Sequence, residues 1–564
     1  MRRSDFDVVI VGAGAGGAAA AWRLCTQGLR VLVLEAGPAY DPRKDYKLDT
    51  EHWETELFPA KPGSAGRYVF APMQPLEEKY SDLRSWNLVS GRSNLSARRE
   101  PSGPGYHHVR GVGGSTLHFT GEAHRLHPQA MQMRSRFGVA ADWPMDYATL
   151  EPYYTIAEQL IGVAGSNEAG ALGERWRSAP YPLPAHALNK GSQRLGQAAA
   201  ALGLRWSANP RAALSQAYDG RPACNYCGNC NRGCPRTDKG SVDVTFMHHA
   251  LATGRCEVRS DTSVTRILTA PNGTVREIEC VDKLRKRSRI PVKRLILACG
   301  AIETPRLLLA SANRSAPRGL ANESGQVGKN LMESLSWISS GLLEESVDSF
   351  KGLPADAICW DYNRPDAIPG VVGGCRFSAA VHEASLVGPI NYALRIVPGW
   401  GKAHKAAMRK TFGAALSIGA IGEFLPNAGT YVDLDPKARD AHGMPLARIH
   451  SQLGEQEILK LQFMAQTCRQ ILHGAGIRQL AEEYGTYDYF SAAHVFGTCR
   501  MGNNPNEAVV DAQGSSHRRR NLFICDASVF PSSGGGEAPS LTIEALALRC
   551  ADHILGLVRA NTPV

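Results

Sequence analysis

Residues 6 to 35, FDVVIVGAGAGGAAAAWRLCTQGLRVLVLE, decide the fold. Residues 6 to 11 are a continuous apolar run of strand length, residues 18 to 25 carry apolar side chains at helical spacing, and Val31 to Leu34 form a second strand-like run. Together they read as one βαβ unit. Gly12, Gly14 and Gly17 spell G-x-G-x-x-G at the strand-to-helix turn. Gly12 permits the tight turn, Gly14 lets backbone approach a pyrophosphate, and Gly17 lets helix and strand pack closely. The helix N-terminus attracts phosphate. Glu35 closes the second strand where a carboxylate accepts hydrogen bonds from ribose hydroxyls and repels a 2′-phosphate. A dinucleotide site follows, and the motif leaves FAD and NAD both open. The same run has the length of a signal peptide, but its glycines are explained by the turn.

Outward from this unit, a chain of 564 residues exceeds one small core and is read as several modules or one elaborated α/β body. Apolar residues at 43% and charged residues at 21% place it among ordinary globular enzymes. The net charge of +10 raises nucleic acid as a partner, yet the basic runs, residues 283 to 289 and 518 to 520, are short and lack interleaved aromatics. They read as solvated loops; attraction of an anionic partner is the lesser use. Outside one cluster the cysteines are scattered, and Cys25, Cys299 and Cys525 sit in apolar segments as small hydrophobes, which fits a reducing compartment. Residues 412 to 421 are too few to cross a bilayer, so no membrane span is expected. Lack of an export signal predicts a cytoplasmic protein, with periplasmic location by co-export beside a partner as the alternative.

Pro- and Gly-rich stretches at 59 to 64 and 101 to 105 read as loops. Pro144 and Asp146 open a helix, RLILACG is a buried strand leading to a helix over 302 to 311, strand-like pieces fill 412 to 448, and a long helix covers 455 to 475. A second glycine-rich stretch, RGVGGSTLHFTG (110 to 121), packs Gly111, Gly113 and Gly114 ahead of Ser115 and His118. Such a turn suits backbone lying against a flat ring or a phosphate.

With these residues in view, the chain resembles the glucose–methanol–choline (GMC) family of FAD-dependent oxidoreductases. RGVGGSTLHFTG is similar to the family's first signature, GAIETPRLLLAS (300 to 311) to its second, and HVFGTCRMG (494 to 502), followed by NLFICDASVFPS and PSLTIEALALRCADHI, to its C-terminal signature. DWPMDYATLEPYY and the cysteine cluster look closest to bacterial sugar dehydrogenases and glycoside oxidases. The resemblance implies a mixed α/β fold, a Rossmann-like FAD-binding domain with a substrate domain on a large, mostly antiparallel sheet. FAD-binding parts are expected at 1–140, 246–335 and, with the catalytic residues, 491–564. The cysteine-rich part of the substrate domain is expected at 141–245 and its sheet at 336–490.

It also implies oxidation of an alcohol, a sugar or glycoside hydroxyl first and a long-chain or steroid alcohol second, by a dehydrogenase rather than an oxidase. His494 takes the family's catalytic position, where neutral imidazole accepts the hydroxyl proton while hydride leaves for flavin N5. The family's second His or Asn falls at Ala538, which cannot bond the substrate; either Glu537, one residue earlier, reaches in, another residue substitutes, or His494 acts with one partner only. A non-catalytic FAD-binding electron-transfer or scaffold subunit is the alternative of another class. Gly113, Gly114, Ser115 and His118 are expected at the flavin, Val264 at the adenine, and Asp526 and Ala527 at the ribityl and pyrophosphate.

Cys224, Cys227, Cys230 and Cys234 form C-x2-C-x2-C-x3-C-P. Ferredoxins use this run, with the fourth cysteine serving another cluster, so a compact run supplies three ligands. An iron–sulfur cluster, zinc and a metal-free loop all stay open. The resemblance adds a three-iron cluster passing electrons to a cytochrome subunit, and a small chaperone-like subunit as a second partner.

Overall fold

Four aliphatic residues in a row, Val8–Val11, are buried on both faces, the pattern of a central parallel strand. In the computed structural model, which describes residues 5–48, 50–51, 53–54, 67–89, 91–92, 97–167 and 175–560, this strand lies at the centre of a five-stranded parallel sheet. The order is Cys256–Arg259, Val31–Leu34, Val8–Val11, Leu295–Leu297, Leu522–Ile524. Its strands come from three distant parts of the chain. Helix Ala15–Thr26 packs against it and is covered by the helices Phe246–Ala252 and Ser540–Arg559, the latter also meeting Tyr147–Ile161. Asp146 caps that last helix, its side chain accepting from Thr149 N at 2.9 Å.

The second sheet is antiparallel throughout, with eight strands in the order Gly91–Arg92, Trp86–Asn87, Leu480–Gly485, Leu335–Leu342, Ala415–Gly422, Cys375–Ala379, Ala357–Cys359, Ser207–Ala208. The long helix Glu455–Gly474 lies against it and buries Ile458, Leu461, Met464, Cys468 and Leu472. The fold is therefore mixed α/β, a Rossmann-like unit joined to a large antiparallel sheet.

One expectation is corrected at the junction. Residues 101 to 105 are not a free loop: Glu100–Tyr106 is a strand, pairing in parallel with Tyr489–Ala492. Backbone hydrogen bonding overrides the local turn composition. The other expected loop, 59 to 64, lies outside the described residues. Beside this junction Met332–Glu333 pairs antiparallel with Val495–Phe496. The buried Arg99 guanidinium holds both carboxylate oxygens of Glu333 at 3.0 Å and bonds Thr486 O and Ser451 Oγ. The strand that follows residue 494 is thus anchored, through its partner strand, by a bidentate ion pair. Among the described residues no helix is long and apolar enough to cross a membrane.

Candidate active site

The two glycine-rich turns meet. Gly12 has φ +100°, and a Cβ there would lie 2.3 Å from Ala298 O; one on Gly17 would lie 1.9 Å from Gly12 O. Gly114, at φ +53°, faces Gly14 so closely that a Cβ on it would stand 2.8 Å from Gly14 Cα. Gly113 N donates to Ala13 O at 3.0 Å. Each absent side chain is space that backbone occupies. Glu35, buried at the end of its strand, ties both turns together: Oε2 accepts from Ala13 N at 3.0 Å, and Oε1 from Gly37 N at 2.9 Å and Gly111 N at 3.1 Å. Burial raises its pKa against these three amides. An ionised carboxylate offers about four lone-pair sites, so this set leaves room for a further donor such as a hydroxyl.

The other sequence-marked residues surround this cradle. Val264 is half-buried in strand Thr262–Thr269, whose first residue donates its N–H to Glu35 O at 2.8 Å. Asp526 is buried and caps the short turn Ala527–Val529 through Ser528 N at 2.8 Å. Its other oxygen accepts from Gly300 N at 3.0 Å and Thr304 Oγ1 at 2.6 Å, locking the start of helix Gly300–Ala310 to the sheet edge. Ala527 O accepts from Gly497 N at 3.1 Å, and Ser528 O from Cys499 N at 2.7 Å, so the segment after residue 494 runs beside the cradle. His118 is buried at the end of the 3-10 turn Gly114–Leu117, and Ser115, exposed, closes that turn through its carbonyl.

His494 is half-buried. Its carbonyl accepts from Ser334 N at 3.1 Å and its Nδ1 stands 3.4 Å from Ser334 Oγ. Burial lowers the imidazole pKa to about 4, with Glu122 opposing and Arg376 adding to the shift. It is a neutral base at neutral pH.

Glu122 and Arg376, which no motif marked, form a buried ion pair at 2.7 Å. Burial pushes the Glu122 carboxyl up, but the charges of Arg376, His124 and Arg211 and the Asn209 hydrogen bond together outweigh it and hold the group at about 2. From this pair a chain of hydrogen bonds runs to the alanine. Asn209 Nδ2 donates to Glu122 Oε1 at 2.8 Å, Asn209 Oδ1 lies 2.7 Å from His124 Nε2, and Ala538 N donates to His124 Nδ1 at 3.0 Å. The donation from Ala538 fixes His124 as the Nε2–H tautomer, and burial keeps that ring neutral by lowering its pKa to about 3. Arg376 also donates to Gly536 O at 3.1 Å and Ser378 Oγ at 2.6 Å. The position expected to carry a second His or Asn thus presents a backbone N–H to a histidine. Glu122 and His124 sit just past the first signature, in GEAHRLH, and that proximity was the available signal; Arg376 had none.

Glu537 does not face solvent. It is buried, with Oε1 accepting from Arg175 Nη2 at 2.8 Å and from His127 N at 3.0 Å. Arg175 in turn lies over the Trp360 ring, 4.4 Å from its centroid, and bonds Asn363. A carboxylate so engaged braces the loop before helix Ser540–Arg559, and its partners differ from those of His494.

The cysteine run, for which metal-bound and metal-free readings are both open in the sequence, is not arranged as a metal set. Among the described residues no three His, Cys, Asp or Glu side chains converge as a metal-binding set, so Cys224, Cys227, Cys230 and Cys234 do not fit an iron–sulfur cluster or zinc. All four are free. Cys230 is buried against Ala213 and Leu353, while Cys227 is exposed. Cys234 Sγ lies 3.3 Å from Asp238 Oδ1, and Cys224 Sγ accepts from Tyr226 N at 3.3 Å. Burial raises all four thiols, Cys230 and Cys234 to about 11. The loop instead packs on neighbours: Gly228 against His382, Gly233 against Tyr46, and Arg232 over the Trp53 ring.

Residues 110–335 and 426–547 match the two sequence profiles described as GMC oxidoreductase, and residues 10–39 match that of an NAD(P)-binding Rossmann-like domain. The chain is 28% identical to 2-methyl-1,2-propanediol dehydrogenase of Mycolicibacterium austroafricanum, covering 97% of this chain and 95% of that one. It is 28% identical to the fructose dehydrogenase large subunit of Gluconobacter japonicus, with 97% of each covered. Against paromamine 6'-oxidase of Streptomyces fradiae it is 29% identical, over 99% of this chain and 93% of that one. Among solved structures, pyridoxine 4-oxidase from Mesorbium loti superposes with a TM-score of 0.60 at 18% identity, over 97% of this chain and 99% of that chain, a likeness of fold.

Proposed function

The chain belongs to the GMC oxidoreductase family, and from that premise we propose that it oxidises a hydroxyl of a sugar or other polyol with FAD held between the two glycine turns. One observation carries the reading: the Gly14–Gly114 contact and the Glu35 amide set form a cradle that side chains would fill, and the His494 segment is hydrogen-bonded along its edge. Gly12, Gly14, Gly17, Gly113 and Gly114 would lie against the cofactor, with Glu35 and Val264 at its adenosine end and Ser115, His118, Asp526 and Ala527 nearer the ring. Bound there, FAD supplies the hydride acceptor.

The chain's own residues do the acid–base work. Nδ1 of His494 faces Ser334, so Nε2 receives the hydroxyl proton. Its low pKa keeps it unprotonated across the neutral range. Glu122, negative and paired with Arg376, lowers the cost of the imidazolium that forms. With Ala538 unable to bond the substrate oxygen through a side chain, Arg376 and Glu122 are the polar groups that orient it. This polar wall favours a polyhydroxylated substrate over a long-chain alcohol, and the named substrates of the diol, fructose and paromamine relatives point the same way. One relative is named a large subunit and another a flavoprotein, which supports an electron-accepting partner subunit and a dehydrogenase.

Anaerobic mixing with a panel of polyols, sugars and fatty alcohols tests this. Bleaching of oxidised-flavin absorbance by polyols in the wild type, and its loss in His494→Ala with flavin still bound, is the expected result. Bleaching only by an external reductant would establish a scaffold or electron-transfer subunit instead.

A further inference from the structure

Between Glu383 and Glu423 the chain has no acidic residue, yet it carries Arg395, Lys402, Lys405, Arg409 and Lys410. The stretch folds as two short helices, Pro389–Arg395 and Gly401–Thr411, joined by a tip at residues 396 to 400. Gly399 (φ +98°) and Gly401 (φ +70°) flank Trp400, and a Cβ on either would meet nothing within 4 Å. The tip therefore stands in open solvent with a defined backbone. Trp400 is 89% exposed and Leu394 65%.

Helix Gly401–Thr411 is two-sided. His404, Ala407, Met408 and Thr411 are half-buried, with Ala407, Met408 and the following Phe412 packed on the cluster around Tyr392 and Leu386. Lys402, Lys405, Arg409 and Lys410 face outward with Ala403 and Ala406, all exposed. Among the described residues no ion pair engages these four cations. The nearby carboxylates are spent inward: Glu54 accepts from Ile390 N and Asn391 N, and Glu482 holds Arg395.

We propose that this hairpin is a peripheral docking surface for an anionic phospholipid bilayer. Trp400 and Leu394 enter the headgroup region and the outward cations meet lipid phosphates. An exposed tryptophan and leucine beside a lysine-rich face combine the two signals that surface binding needs, an apolar anchor and charge. A protein partner would require a contiguous packed patch of about 800 Å² on this side, whereas the large exposed apolar groups here are two separate side chains, Leu394 and Trp400. A helix of 11 residues lies on a bilayer rather than across it.

The test is co-sedimentation of the full-length protein with phosphatidylcholine vesicles and with vesicles containing about one-third phosphatidylglycerol, a fraction chosen so that the surface is strongly anionic. Binding to the anionic vesicles only, reversed by salt, is expected. Lys402→Glu/Lys405→Glu should weaken it by about twenty-five-fold or more, at about fivefold per cation, and Trp400→Ser by about tenfold. Lys283→Glu/Lys286→Glu, on the other basic loop, should bind as wild type. All variants should retain the thermal midpoint and the rate of flavin reduction by a soluble alcohol, so failure of the enzymatic reading is seen separately from failure of this one. Wild-type protein left in the supernatant, or hairpin variants that bind as wild type, would overturn the proposal. Retention on immobilised polyglutamate without vesicle binding would assign the cations to an acidic protein and equally overturn it.

Discussion

The cradle and the polar cluster beside His494 are built on opposite terms. In the cradle, backbone meets backbone, and specificity comes from side chains that are absent at Gly12, Gly14, Gly17 and Gly114. Around His494, side chains hold one another: Arg376 on Glu122, Asn209 between Glu122 and His124, His124 on the backbone of Ala538. The first arrangement tolerates little substitution, because an addition at Gly12, Gly17 or Gly114 collides with a main chain that cannot rotate away. The second tolerates a change of residue provided the network remains satisfied. In this chain the first arrangement is closed by backbone and the second is held together around the backbone of Ala538.

Substitution in the cradle should have the largest effect. Gly17→Ala, whose new Cβ falls 1.9 Å from Gly12 O, should lose stoichiometric flavin and about 3 kcal/mol or more of stability, read by absorbance ratio and urea unfolding. A variant with full flavin and unchanged unfolding would remove the distinction between the two regions. His494→Ala should keep its flavin but reduce it by substrate about 10²- to 10⁴-fold more slowly, measured by anaerobic stopped flow.

In catalysis the polar cluster should answer more gently, through the pH profile. The base acts unprotonated, so kcat/KM should hold on a plateau and fall as pH drops through about 4. Glu122→Gln removes the anion that favours imidazolium, so the acid limb should move to lower pH; Arg376→Met removes the opposing cation and should move it up. Arg376→Met also leaves a buried carboxylate unpaired, at about 3–5 kcal/mol. Limbs that stay in place in both variants would detach Glu122 and Arg376 from the base. The smallest effect is expected at the cysteine loop. Cys227→Ser, at an exposed thiol, should change stability by less than about 0.5 kcal/mol and leave flavin reduction intact, and metal analysis of the wild type should find no stoichiometric iron.

Legibility followed the same divide. The strand Val8–Val11, its turn, the helix and Glu35 could be read in order because they are contiguous and each residue's duty is local. His494 and Asp526 were legible through motif context. The loop expected at 101 to 105 became a strand because a distant segment, Tyr489–Ala492, supplied its hydrogen-bond partners. The cysteine spacing matched a ligand run, but burial and the pull of Asp238, Ala213 and Leu353 set the thiols to other uses. Glu537 stood next to the missing side chain in sequence, and its partner, Arg175, lies far away in sequence.

By itself the sequence determined that a Rossmann-like βαβ unit stands near the front of this chain and that His494 lies in a distinct motif near its end. Both rest on short-range stereochemistry: glycine's freedom of φ, strand and helix periodicity, and a motif read within a few residues. Only the tertiary structure decided that Gly114 closes on Gly14, that the charges of Glu122 and Arg376 reach His494, and that Ala538 offers its amide to His124. Those are contacts between segments tens to hundreds of residues apart, governed by burial and charge pairing that no local pattern encodes.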